Sequence, residues 1–308
     1  VKGEQGFALV ITLVVTALLV ALTTEFIQDV FVETSLSHSF ADAQQASLIA
    51  ASGVDGAVKV IRLALDTQDY TSPLDPWAVP QAIEDERGSL TVGISDESGK
   101  LDINSLVFPN GTVNEEYYAT ARRLMDRLGL PYALCDAVAD WIDADDSQRS
   151  GGAESGFYRA LPTPYSAKNG PLESYEELRM VAGFNETNLR KLNPFITVYP
   201  DVAGSGLSKV NVNAAPAELL AVLHEGMNND LAARIVEYRR KTPIRSPAEI
   251  TGIAGLESVG IALQGKISVK GSVFRIQSRA QVRDTVRIVE AVVRFDSTQP
   301  KVLYWREL

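Results

Sequence analysis

Cysteine and histidine are nearly missing from this chain: 308 residues contain one cysteine, Cys135, and two histidines, His38 and His224. A single thiol excludes an intrachain disulfide. Cys135 lies in an apolar-periodic stretch and is expected as a small core residue, while neither histidine has neighbours that would make it a base or a ligand. Positive charge is also short, with 29 Lys and Arg against 39 Asp and Glu and a net charge of −10. That balance argues against a body that binds nucleic acid, because phosphate-binding surfaces need an excess of cations. Missing too are a glycine-rich phosphate loop, a serine or cysteine nucleophile motif and a histidine placed for proton transfer. Two aspartates acting as an acid–base pair, as in glycoside hydrolysis, would be the one enzymatic reading left, and nothing else supports it. The chain is therefore expected to be non-enzymatic.

What is present begins at the N-terminus. From Phe7 to Thr24 runs FALVITLVVTALLVALTT, 18 residues without a charge. As a helix it would be about 27 Å long, close to the roughly 30 Å of a bilayer core. A cleaved signal peptide and a buried soluble helix compete with a retained anchor. A signal peptide should close on a small-x-small site, whereas here the run passes into Thr23, Thr24, Glu25, Phe26 and Ile27. The helical pattern then continues through Phe40, Ala43, Ser47, Ala50, Val54, Ala57, Ile61 and Ala64. One long helix from membrane to globular body is implied.

Beyond it, Pro73, Pro76 and Pro80 punctuate a connection that should end helical structure. Residues 89–94 and 100–103 read as strands joined in a hairpin across Asp96-Glu97-Ser98-Gly99. Helical periodicity follows at 119–128, 134–142, 176–181, 216–223 and 231–240, and strands return at 273–282, 285–295 and 301–305. The order helix, strands, helical block, strands predicts an α+β fold with an inserted helical domain.

The block carries an internal repeat. Gly129, Leu134, Val138 and Trp141 have the spacing of Gly226, Leu231, Ile235 and Tyr238, and 174–183 matches 246–255. Both copies of the second segment open with a capping-box pattern, Ser174 with Glu177 and Ser246 with Glu249. From Trp141 to Glu177 is 36 positions and from Tyr238 to Glu249 is 11, so the first copy holds about 25 extra residues. In that insertion Asp143, Asp145 and Asp146 crowd together with Glu154 further on. Carboxylates at this density fit Ca²⁺, which takes 6 to 8 oxygen ligands. The alternative is a solvated acidic loop with splayed side chains. Asp143, Asp145 and Glu154 match positions 1, 3 and 12 of an EF-hand loop, but Ser147 and Gln148 break its middle. With no cysteine or histidine nearby, zinc and softer metals do not fit.

Two sets of residues carry a family resemblance. The first is the polar leader Lys2-Gly3-Glu4-Gln5-Gly6 ahead of Phe7, which resembles type IV pilins and pseudopilins. That resemblance implies cleavage between Gly6 and Phe7 by prepilin peptidase and methylation of the new terminus. Ile11 stands where most of those subunits have glutamate at the fifth mature position. A membrane carboxylate there needs the amine of a neighbouring subunit, and its absence resembles the minor pseudopilin K group of type II secretion systems. The second set is Asp140-Trp141-Ile142-Asp143-Ala144-Asp145 with Gly152-Ala153-Glu154, Tyr158, Pro164-Tyr165, Asn169 and Glu177-Leu178, joined by Val212-Asn213-Ala214-Ala215-Pro216. It resembles the hallmark of the same group, across nearly the whole chain.

The resemblance implies a pseudopilin-like head of helix plus antiparallel sheet, carrying an inserted all-helical domain that binds Ca²⁺. Ligand roles fall to Asp143, Asp145, Asp146, Glu154 and Asn169, the ion fixing an insertion with little apolar content of its own. It implies a subunit at the pseudopilus tip that initiates or caps assembly, in a single-pass inner-membrane protein with a periplasmic head. Its partners would be other minor pseudopilins, the major pseudopilin, the peptidase, the inner-membrane assembly platform and exported substrates, with no nucleic acid. Expected divisions are a leader over 1–6, an anchor and stalk helix over 7–65, head residues 66–113, the insertion over 114–265 and closing strands over 266–308. An alternative is a DNA-binding helix-hairpin-helix protein of a pilus or competence system, with Arg234, Arg239, Arg240 and Lys241 meeting phosphates. Against it, Gly226-Met227-Asn228-Asn229-Asp230 lacks a glycine-rich turn, and the acidic body would repel DNA.

Overall fold

In a computed structural model the chain is described over residues 2–86, 88–201, 208–296 and 299–308, with residues 2–6 described in their backbone alone. Of the predicted leader, 1–6, residue 1 thus lies outside the described residues and 2–6 are described as backbone only. Helix α1, Lys2–Thr67, is unbroken for 66 residues, which at the α-helical rise is about 100 Å. No proline or helix-ending turn interrupts it. From Phe7 it is long and apolar enough to cross a membrane, with a mean hydropathy of 2.5 in its most apolar window. Phe7, Leu13, Leu18 and Phe31 are all exposed along this stretch.

The distal half of α1 behaves differently. Ala50, Val54, Ala57 and Ile61 recur at helical spacing and are buried against Phe274, Ile276, Ala280, Val289, Ala291, Val293 and Phe295. Phe40, predicted for the same stripe, is exposed. It lies before the helix reaches the sheet.

That sheet has five antiparallel strands in chain order: β1 (Gln81–Asp85), β2 (Gly88–Asp96), β7 (Val273–Val282), β8 (Thr285–Phe295) and β9 (Pro300–Glu307). Alternation decides the faces. Along β8, Val289, Ala291, Val293 and Phe295 meet α1, while Val292 joins a second core on the other side.

The remaining α-helices and strands lie between β2 and β7. They are β3 (Leu101–Asp102), α2 (Glu115–Arg127), α3 (Ala133–Ile142), α4 (Ser155–Arg159), α5 (Glu186–Leu192), β4 (Ile196–Thr197), β5 (Val210–Asn211), α6 (Ala217–Leu220), α7 (Asn229–Lys241), α8 (Val259–Leu263) and β6 (Ile267–Ser268). The block is helical but not purely so, because β3 pairs in parallel with β4, and β5 with β6. This corrects the predicted hairpin. Asp96 Oδ1 accepts a hydrogen bond from the Ser98 amide at 2.8 Å, and residues 97–99 form a 3₁₀ turn that aims β3 away from β2. The true hairpin partner of β2 is β1, whose five residues are all exposed and so show no alternation to read.

The predicted repeat is visible in the backbone. Gly183 and Gly255 have φ of +83° and +86°, and a Cβ on either would lie 3.0 or 3.1 Å from Cδ2 of Leu134 or Leu231 respectively. Each glycine lets a turn close on the matching leucine. The capping boxes form only in part. Ser174 caps nothing, Ser246 Oγ accepts from the Ala248 amide, and both segments are 3₁₀ rather than α-helical. Their glutamates do reach back, Glu177 Oε2 to the Glu173 amide and Glu249 Oε2 to the Arg245 amide. Cys135 is fully buried, and burial pushes its thiol up to about 12.

Candidate functional site

The acidic insertion leaves the C-terminal end of α3 and rejoins the first module at Glu177. Contrary to the expectation of little apolar content, it brings its own anchors: Tyr158 is fully buried, with Ala153 and Leu172 nearly so. Trp141 meets Tyr158 edge-on with ring centroids 5.1 Å apart, and Tyr158 stacks on Tyr165 at 5.2 Å. The indole Nε1 of Trp141 donates to Glu177 Oε1 at 3.0 Å, and Lys168 Nζ meets Glu177 Oε2 at 3.0 Å. These contacts tie the insertion to the module that it interrupts.

Beneath this aromatic group three carboxylates converge. Asp140, Asp143 and Glu154 are buried and each offers an oxygen within 4.8 Å of the others. Asp140 and Asp143, three positions apart, share one face at the end of α3. Glu154 enters from the residue preceding α4. Asp140 is partly compensated, since its Oδ2 accepts from the Arg149 amide at 3.0 Å. Gly152 passes so close that a Cβ there would sit 2.0 Å from Asp140 Oδ2.

The other two acids are not compensated. Oδ1 of Asp143 and both carboxylate oxygens of Glu154 are buried without a hydrogen-bond partner among the described residues. Burial, and then the neighbouring carboxylates, push Asp143 up to about 6 and Glu154 up to about 7. Unpaired buried charge costs several kcal/mol, on the order of what only a cation or a proton can offset. Buried and oxygen-only, the group fits a hard divalent cation of the Ca²⁺ type.

Of the residues predicted to hold Ca²⁺, the structure brings Asp143 and Glu154 together. Asp145 and Asp146 stay outside this triad on the exposed turn beside it, and Asn169, also exposed, lies on a later segment. Asp145 Oδ1 accepts from the Ser147 amide at 2.7 Å, and Asn169 Nδ2 donates to the Asp145 carbonyl at 3.4 Å. Asp140 is the residue that sequence reasoning missed. Its signal was the three-residue helical step to Asp143, hidden because Asp140 also reads as a polar position on an amphipathic helix.

Three of the four basic residues weighed for phosphate binding have partners within the second module, and Arg240 is exposed. Arg234 Nη1 donates to the Ala254 carbonyl at 2.7 Å, Arg239 Nη1 donates to the Val212 carbonyl, and Lys241 pairs with Glu237 at 3.0 Å. The two arginines brace the second module, whereas Lys241 pairs on the exposed face of its own helix.

Family models described as type II secretion system (T2SS), protein K, match residues 99–201 and 210–270, the two modules with their closing bridges. The type II secretion system protein K of Pseudomonas aeruginosa is 30% identical over 265 residues, covering 81% of this chain and 77% of that protein. The protein of that name from Pectobacterium carotovorum is 27% identical over 300 residues, 92% of this chain and 90% of the relative. Among solved structures, a chain of the GspK–GspI–GspJ complex from the enterotoxigenic Escherichia coli type 2 secretion system superposes with a TM-score of 0.74 at 20% identity, over 88% of this chain and 99% of that one. That likeness is one of fold.

Proposed function

Because the chain belongs to the type II secretion system protein K family, we propose that it is the minor pseudopilin at the pseudopilus tip, where it initiates or caps the filament that drives protein export. The observation that carries the reading is the continuity of α1. One helix presents an exposed apolar stretch able to cross a membrane and, without a break, a buried stripe that holds the head. Two further features favour an end position. Ile11 offers no carboxylate to a subunit ahead of it, and a block of two modules on the head obstructs the next place along an open, heterologous filament. A chain of similar fold was solved in a complex named for three Gsp proteins, which supports minor pseudopilins as partners here. Processing at Gly6–Phe7, an inner-membrane anchor and a periplasmic head belong to the same proposal.

Ca²⁺ is the proposed cofactor. Asp140, Asp143 and Glu154 would hold it, with Asp145 and Asp146 next in the chain, and Asn169 beside Asp145, to add oxygens. Its chemistry would be structural: neutralising buried charge and fixing the insertion. The residues themselves do the positioning, Gly152 by admitting Asp140 and the rings of Trp141, Tyr158 and Tyr165 by holding both ends of the loop.

The tip assignment is tested by labelling the chain with gold in cells overproducing pseudopili. Label confined to filament ends is expected, and the Ile11→Glu variant should add label along the shaft. Wild-type label spread evenly along the filament would overturn the assignment.

A further inference from the structure

On the sheet face away from α1, a cleft of about 560 Å³ runs between β9 and the helical block. Phe108, Pro109, Pro171, Leu172 and Leu303 give it apolar walls, and Arg294 and Lys301 lie in its floor. These two cations are direct cross-strand partners in the β8–β9 register, an arrangement of like charges that sheets avoid. Arg294 is only 6% exposed. Among the described residues it makes no ion pair or hydrogen bond, and the segments 202–207 and 297–298 contain no acid.

Its half-buried neighbour on the same face is differently placed. Arg275 Nε meets Glu97 at 2.7 Å and its Nη1 is bonded to Glu290. The acids of the cleft do not do this for Arg294. Asp102 is engaged by Ser105 Oγ at 2.9 Å and Ser208 Oγ at 2.7 Å, and Glu173 sits on the rim near Lys168.

We propose that this cleft binds a carboxylate carried on an extended peptide segment, with Arg294 and Lys301 as its counter-charges. A buried cation without a partner beside a second cation is complementary to an anion. A small free anion would leave the apolar walls wet. It would also leave β9 as an edge strand, since among the described residues β9 pairs with β8 alone. An acidic side chain on an extended peptide meets all three features: charge to the floor, apolar neighbours to the walls and backbone groups to the open edge.

The test uses the full chain in detergent micelles at low salt and a fluorescein-labelled peptide alternating valine and glutamate, read by fluorescence anisotropy. Binding is expected, at least tenfold weaker for the valine–glutamine counterpart and at least tenfold weaker for Arg294→Met. The thermal midpoint of Arg294→Met should be no lower than wild type, because the substitution removes a buried charge that has no internal partner. Lys301→Gln, on the more exposed partner, should weaken binding severalfold with the fold intact. Equal binding of both peptides, unchanged binding by Arg294→Met, or a midpoint lowered by several degrees would each overturn the proposal. Sodium acetate that displaces the peptide at equal molar concentration would also overturn it, by assigning the cleft to a free carboxylate.

Discussion

Asn213 makes again, in the second module, the three hydrogen bonds that Asn104 makes in the first. Asn104 Nδ2 donates to the Leu172 and Val198 carbonyls at 2.9 and 2.7 Å, and its Oδ1 accepts from the Leu172 amide at 2.8 Å. Asn213 Nδ2 donates to the Ile244 and Val269 carbonyls at 2.8 and 3.3 Å, and its Oδ1 accepts from the Ile244 amide at 2.9 Å. Each amide satisfies backbone groups from two distant segments, and each follows a two-residue parallel bridge. The modules are therefore one design used twice, with the acidic insertion threaded into the first copy.

Asn213→Ala should unfold the second module at lower denaturant. Asn213 is 1% exposed, so removing its side chain leaves buried backbone groups unpaired at a cost of about 3 kcal/mol. Urea titration of the full chain in detergent checks this. A midpoint within error of wild type would mean that the amide is not a staple.

Gly152→Ala should damage the acidic site without touching a ligand. The new methyl would lie 2.0 Å from Asp140 Oδ2, so either Asp140 or the loop must move, at about 1–3 kcal/mol. Calorimetric titration with Ca²⁺ should show at least tenfold weaker binding than wild type. Glu154→Ala should abolish the heat altogether, and Mg²⁺ should give little in either protein because it keeps its waters.

Ca²⁺ affinity should depend on pH in a defined direction. Glu154 and Asp143, at about 7 and about 6 without metal, must be ionised to bind. Affinity is then flat above pH 7, falls about tenfold per unit between 7 and 6, and falls more steeply below. For the metal-free chain the direction is opposite. Both folded values lie above the ordinary carboxylate range, so protonation favours the folded state, and stability declines as pH rises from about 4 to about 7. Thermal melts with chelator and with excess Ca²⁺ should therefore diverge as pH rises. Parallel curves would remove the site.

Much of this was legible beforehand. The long helix announced itself by an uncharged run that passes into a three-and-four spacing, and β7 and β8 by alternation around Arg283-Asp284. The repeat showed in Leu134 and Leu231 because both sit against a turn that only glycine can make. Where reading failed, the deciding contact lay far off. β1 is exposed throughout and carries no pattern, β3 is two residues long and paired with a strand beyond the insertion, and Asn104 and Asn213 look like ordinary turn residues. At the site, spacing along the chain favoured Asp145 and Asp146. Burial, which spacing does not report, brings Asp140 to the cluster.

The nesting of the sheet also sets an order of events at birth. The Val273 amide that meets Ser98 Oγ is 175 positions further along the chain, so β2 emerges long before β7. Both modules close on bridges of their own and can mature while the sheet is still missing its central strand. Meanwhile the stripe Ala50, Val54, Ala57 and Ile61 has nothing to cover it. A newly made copy thus passes through an interval in which the appendages are finished and the surface that holds the stalk is not.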